Sequence, residues 1–231
     1  QWKDFSELRQ RMRDGRVHLW GWHVPRCAIE AQAAAEAALV CEWARTYELD
    51  GVLIDAESGE RYFQGGEREA TRYASALRRG LDACGKGLAL SSHDRPSSFP
   101  GFPFEAFLRE VNDNCPQVYY SARPVPERLG RSVREYQRLE RDRDFRDRYR
   151  PVGNVTVGGD VGLPDVRMCI EKAREFIDLV HGAGFLGYGF WCWDEAPEEL
   201  WAFLRDTPVS FEEGAGSMST LAEESGISGE A

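Results

Sequence analysis

The sequence predicts an α/β fold of parallel strands, a (β/α)8 barrel of the TIM type with its first two strands lacking or altered. Three observations carry this reading. Short apolar runs alternate with long helical patterns along the whole chain, and parallel strands can be joined only by such crossovers. A doubly wound nucleotide-binding sheet would want a glycine-rich phosphate turn between an early strand and its helix, and none stands there. A complete barrel takes about 250 residues, whereas the 231 residues here hold about six strand-and-helix units behind one leading helix.

Taken in order, residues 4–14 form an amphipathic helix stopped at Gly15, and residues 17–23 a strand of alternating large side chains. An alanine-rich helix over 28–47 precedes a strand over 51–57 whose apolar residues run almost continuously. A helix over 67–84 ends at Gly85; a strand over 87–92 and a short helix over 104–111 follow, separated by a proline-rich loop. Strands are expected over 117–120, 152–157 and 185–193, and helices over 132–149, 166–182 and 197–205. Residues 138–150 carry mixed charges at helical spacing, the pattern of a solvated helix face. The barrel is expected to occupy residues 1–206, and residues 207–231, rich in Gly, Ser and Glu, a flexible or partner-bound tail.

Composition narrows the partners. With 39 acidic against 29 basic residues and a formal charge of -10, the chain repels phosphate backbones, so nucleic acid is not an expected partner. No apolar run of about 18 residues is present to span a bilayer, and no membrane partner is expected. The six cysteines show no C-x-x-C spacing; they read as small buried residues of a chain made under reducing conditions, with no metal and no cofactor expected. Seven Trp and eight Tyr suit either a core or a stacking surface for sugar rings.

Chemistry in a parallel barrel sits at the C-terminal ends of the strands. The richest such end is D-G-V-L-I-D-A-E, residues 50–57. Residues two apart on a strand share a face, so Leu53, Asp55 and Glu57 point one way while Val52, Ile54 and Ala56 point toward the helices. Two neighbouring, partly buried carboxylates are expected to have their pKa values pushed apart, one kept protonated, as glycosidic cleavage requires. In a structural role the same pair would bind backbone amides or an arginine. Other strand ends supply Trp20 and Trp22 beside His18, His93 beside Ser91, Gln117 with Tyr119, Asn154 with Thr156, and Trp191 with Trp193 and Asp194. Indoles, amides and hydroxyls of this kind make a sugar subsite, and each taken singly also fits core packing. No H-E-x-x-H, G-x-S-x-G or basic-flanked cysteine points to metal or acyl-enzyme chemistry.

The segment D-G-V-L-I-D-A-E resembles the D-G-x-D-x-D-x-E strand of family 18 chitinases, with Leu53 where that pattern has its first Asp, and its D-A-E resembles the D-x-E strand of family 25 lysozymes. P-Q-V-Y-Y, ending at Tyr120, is similar to the Gln- and Tyr-bearing sixth strand of the same superfamily. F-W-C-W-D is similar to the last-strand W-x-x-D of chitinases through Trp191 and Asp194, and residues 91–107, with R-P and F-P-G-F-P, to an uncharacterised branch of lysozyme-like barrels. The resemblance implies retaining hydrolysis of a β-linked N-acetylhexosamine polymer, peptidoglycan or chitin-like, assisted by the substrate's acetamido group. It implies Glu57 as general acid and then base, Asp55 orienting the acetamido group, Tyr119 hydrogen-bonding it and Trp191 flooring the sugar site. It also implies an extracellular or cell-wall-directed protein. The other readings are an inactive carbohydrate-binding or structural barrel, and a component of a phage-type assembly that docks a protein partner through its tail.

Overall fold

A computed structural model describes residues 5–207 apart from 122, 141–143 and 160–161; the predicted tail beyond residue 207 lies outside the described residues. The chain divides into two units, Gln1–Ser92 with Phe99–Asp113, and His93–Ser98 with Asn114–Ala231.

In the first unit, α1 (Phe5–Asp14) buries no residue and leads into β1 (Trp20–His23). Helix α2 (Glu30–Thr46) follows, then β2 (Gly51–Asp55), α3 (Glu67–Asp82), β3 (Gly87–His93) and the short α4 (Phe104–Leu108). The three strands are parallel, with Trp20 level with Gly51 and Gly87, Trp22 with Leu53 and Ala89, and Asp55 with Ser91. Helix α3 buries Ala70, Tyr73, Ala74, Leu77 and Leu81, the stripe of a 3.6-residue period. Its start is capped by the Glu69 carboxylate, which accepts from the Gly66 N–H at 2.9 Å. Helices α2 and α3 pack closely because Gly80 has no side chain: a Cβ there would stand 2.3 Å from the Cys41 sulfur.

The second unit repeats the plan with β4 (Asp113–Gln117), α5 (Val125–Leu139), α6 (Phe145–Arg148), β5 (Val152–Asn154), α7 (Val166–Gly182), β6 (Gly189–Trp191) and α8 (Glu198–Asp206). Its strands are also parallel, with Gln117 level with Val152, Val152 with Gly189, and Asn154 with Trp191. Asp165 caps α7 by accepting from the Met168 N–H at 2.8 Å, and Cys169, Ala173, Phe176, Ile177 and Val180 form its buried stripe.

Six parallel strands and a leading helix match the sequence expectation, with three local corrections. The expected strand over 117–120 lies earlier, because polar Asp113 and Asn114 open it and the fully buried Asn114 amide donates to Glu140 at 2.6 Å. The helix expected over 132–149 begins at Val125, since prolines are tolerated in a first helical turn, and ends at Leu139. The charged stretch after it is not only a solvated face: Glu140, 4% exposed, pairs with Arg148. Gly182, Gly184 and Gly187 have the G-x-G-x-x-G spacing but lie between a helix and the strand after it, the reverse of a dinucleotide turn. None of the six cysteines is in a disulfide, and three of them are buried. Among the described residues no helix is long and apolar enough to cross a membrane.

Candidate functional site

Strand β2 sorts its side chains as the alternation requires. Val52, Ile54 and Ala56 are 1% exposed or less on the helix side, while Leu53 and Asp55 occupy the opposite face. Asp55 is the strand's last residue, 5% exposed and level with Ser91 of β3. The next residues stay pinned to β3: the Ala56 N–H donates to the Ser91 carbonyl at 3.0 Å, and the Ser92 hydroxyl donates to the Ala56 carbonyl at 2.6 Å. Asp55 is therefore presented by rigid backbone, with Glu57 two residues further on and half-buried.

The loop carrying Glu57 is closed by an aromatic anchor. Phe63 makes a parallel bridge with Ser58 and donates its N–H to the Glu57 carbonyl at 3.2 Å. Its ring is 5% exposed and lies edge-on to Phe107 at 5.1 Å and to Phe102 at 6.0 Å. Gln64 fastens the loop further, its amide donating to the carbonyls of Gly59 and Tyr62 at 2.6 and 3.0 Å. Tyr62 is half-buried in the field of both acids: Glu57 foremost, then burial and Asp55, raise its phenol pKa. The phenol is a hydrogen-bond donor that feels the charge of both carboxylates. Tyr62 was not among the sequence candidates; its only signal was proximity, five residues past Glu57.

The tryptophans of β1 divide by height. Trp20 stands at the first residue of the strand, and a Cβ on Gly51 or Gly87 would come within 2.6 or 2.4 Å of its ring, so the indole lies flat across the strand starts. That is the end of the strands opposite Asp55. Trp22, one layer above and level with Leu53, is 56% exposed. His18 precedes the strand, is largely exposed and sits 3.6 Å from Asp50.

In the second unit, Asn154 is 1% exposed at the end of β5, and its side-chain oxygen accepts from the Ser121 N–H at 3.2 Å. Gln117 ends β4 half-buried, and Tyr119 lies beyond the strand, where the Tyr119 N–H bonds back to the Gln117 carbonyl at 2.8 Å. Tyr119 is half-buried, whereas Tyr120 is fully buried against Phe176. His93 ends β3 and its carbonyl accepts from the Tyr136 hydroxyl at 2.6 Å. Trp191 is 43% exposed at the end of β6. Trp193 is outside that strand, its ring tilted against Trp201 of α8 with centroids 4.1 Å apart, and Asp194 is exposed beside it. No cluster of three His, Cys, Asp or Glu side chains suited to a metal exists among the described residues.

No protein-family model and no curated protein matches the chain. Solved structures do. A glycoside hydrolase family 18 N-acetylglucosaminidase from Paenibacillus barengoltzii is similar with a TM-score of 0.64 at 13% identity, over 87% of this chain and 86% of that one. A class V chitinase from Pseudomonas fluorescens is similar with a TM-score of 0.62 at 11% identity, over 86% of this chain and 83% of that one. An endo-β-N-acetylglucosaminidase from Cordyceps militaris is similar with a TM-score of 0.60 at 14% identity, over 82% of this chain and 65% of that one. That structure is of a form with an Asp and a Glu two positions apart replaced by Asn and Gln, in complex with fucosyl-N-acetylglucosamine-Asn. At such identities the likeness establishes the fold alone, an α/β arrangement of the TIM-barrel type of which six parallel strands are described.

Proposed function

We propose that this chain is a retaining glycoside hydrolase that cleaves a β-linked N-acetylhexosamine polymer, peptidoglycan or chitin-like, with help from the substrate's own acetamido group. The observation that carries the proposal is the Asp55 and Glu57 pair at the end of β2, in a fold shared with chitinases and endo-β-N-acetylglucosaminidases. Glu57 donates its proton to the glycosidic oxygen as that bond breaks, while the acetamido oxygen attacks the anomeric carbon and Asp55 holds the acetamido N–H. Water, losing its proton to Glu57, then opens the cyclic intermediate, and two inversions give net retention. Tyr119 and Trp191 take the roles the chitinase resemblance assigns them, a hydrogen bond to the acetamido group and a floor for the sugar. Tyr62 is added as a donor near the carboxylates, on the strength of the field they exert on it.

Release of reducing ends from peptidoglycan and from chitin oligomers, compared between the full chain and its Glu57→Gln form, tests the proposal. Activity lost with Glu57→Gln supports it, and inactivity of both folded proteins on both polymers overturns it. The second reading, a carbohydrate-binding barrel without catalysis, is favoured by Leu53, an apolar side chain one layer beneath Asp55 where the chitinase pattern has an Asp. It would show as oligosaccharide binding without turnover.

A further inference from the structure

We propose that the second unit carries an oxyanion-binding pocket, built by Arg95, Arg123, Arg128 and Arg131, that takes a carboxylate or phosphate group. The cavity has a volume of about 40 Å³ and is lined by these four arginines with Pro124 and Glu127. A single water needs about 10–15 Å³, so the space suits a group of three or four heavy atoms, the size of one carboxylate or one tetrahedral oxyanion.

The surrounding carboxylates engage two of the four guanidinium groups. Asp94, 5% exposed, is gripped by Arg128 through Nε and through a 2.9 Å bond from its terminal nitrogen. Glu135 accepts from Arg131 at 3.0 Å and from the Ser97 N–H at 2.8 Å. That leaves Arg95 and Arg123. Arg95 Nε is buried without a hydrogen-bond acceptor, 3.7 Å from Asp94. Among the described residues no carboxylate lies within ion-pair distance of Arg123, whose carbonyl is held by the Lys172 ammonium at 3.0 Å. Burial lowers the Arg128 pKa most, Asp94 opposes it, and the neighbouring positive charges of Arg95 and Arg123 add to the lowering. Like charges crowded around a small cavity in a chain of net charge -10 call for an anion, and guanidinium groups supply the planar, charge-assisted donors that oxyanions accept.

Two sources share this chemistry: an acidic substituent on a sugar, or a free oxyanion. Calorimetric titration of the full chain at low ionic strength, where exposed charges are least screened, uses inorganic phosphate, N-acetylmuramic acid and N-acetylglucosamine as probes. Phosphate is expected to bind, and about tenfold or more weakly once Arg123 and Arg131 are both replaced by Gln. Both side chains lie at the surface, so the folded state should survive. Glu127→Gln, which removes a negative charge from the rim, is expected to tighten binding. N-acetylmuramic acid that binds, is displaced by phosphate and is not matched by N-acetylglucosamine identifies a sugar carboxylate as the occupant; phosphate binding alone identifies a free oxyanion. The proposal is overturned if neither anion binds more tightly than about 10 mM, or if the arginine replacements leave binding unchanged. The titration needs no turnover, so it is read separately from the hydrolase assay.

Discussion

Replacing Phe63 by Ala should loosen the loop that carries Glu57 while leaving Asp55 on its strand. The ring is 5% exposed and meets Phe102 and Phe107 edge-on. Losing the buried ring costs about 2–3 kcal/mol in transfer free energy. A residual void of about 80 Å³, at roughly 24 cal/mol per Å³, adds about 2 kcal/mol if nothing moves in. The sum of about 4 kcal/mol falls within the range of about 3–5 kcal/mol common for buried Phe→Ala changes. Set against a total stability of about 5–15 kcal/mol, it leaves a folded but weakened protein. Urea unfolding measures the stability loss, and Phe63→Leu, which keeps most of the apolar volume, should recover most of it. If the hydrolase proposal holds, the same variant should lose up to about 100-fold in kcat/KM, the order of effect of an ångström-scale misplacement of a catalytic group. A stability loss below about 1 kcal/mol, far under the cost of emptying a packed site, would refute the anchor.

Gly87→Ala would drive a methyl to 2.4 Å from the Trp20 ring and should cost about 1–3 kcal/mol; a smaller residue at position 20 should relieve it, as read from melting temperatures. Glu140→Ala removes the buried carboxylate that Arg148 and the Asn114 amide bond to and should cost about 3–5 kcal/mol, whereas replacing Glu140 and Arg148 together by apolar residues should cost less, giving a measurable coupling in a double-mutant cycle. His23 is held neutral by burial, its pKa below the usual 6.5. The unfolded chain therefore binds the extra proton first, so stability should fall as pH drops below about 6.5 and level off beneath the folded pKa; a His23→Gln variant should flatten urea midpoints compared at pH 7.5 and 5.5. Burial pushes the Cys169 thiol up to about 11, so at pH 8 only about one in a thousand is thiolate and alkylation of the native protein should spare it.

The elements most legible in the sequence were those in which one helix face alone is apolar. Helix α7 was located to the residue because Cys169, Ala173, Phe176, Ile177 and Val180 repeat at helical spacing behind the Asp165 cap. The start of α5 was hidden by Pro124, Pro126 and Gly130, residues that read as loop until the structure places the prolines in the opening turn. Strand β4 was displaced because its first two residues are polar, and burial of Asn114 depends on Glu140, distant in sequence. Alternation along β2 sufficed to place Asp55 and Leu53 on one face, but sorting Trp20 from Trp22 required the register with Gly51 and Gly87, which a lone sequence does not contain. The arginines of the oxyanion pocket are spread over residues 95–131 and are gathered only when the chain folds.

The loop after β2 has a counterpart after β5, and the two differ in which side chains can exchange a proton. Both loops close on a one-residue parallel bridge, Ser58 with Phe63 and Val157 with Leu163. In both, the bridging apolar residue returns its N–H to the chain just past the strand, Phe63 to the Glu57 carbonyl and Leu163 to the Thr156 carbonyl. In both, the residue after the strand donates to the next strand, Ala56 to Ser91 and Val155 to Trp191. Backbone geometry thus sets Asp55 and Glu57 in the same places as Asn154 and Thr156. An amide and a hydroxyl at 1% and 5% exposure can orient and hydrogen-bond, but neither exchanges a proton near neutral pH. Because the frame is shared, it cannot itself be what makes the β2 loop a candidate for acid and base work; the two carboxylates are, and Tyr62, whose phenol feels both, has no titratable equivalent among the described residues of the β5 loop.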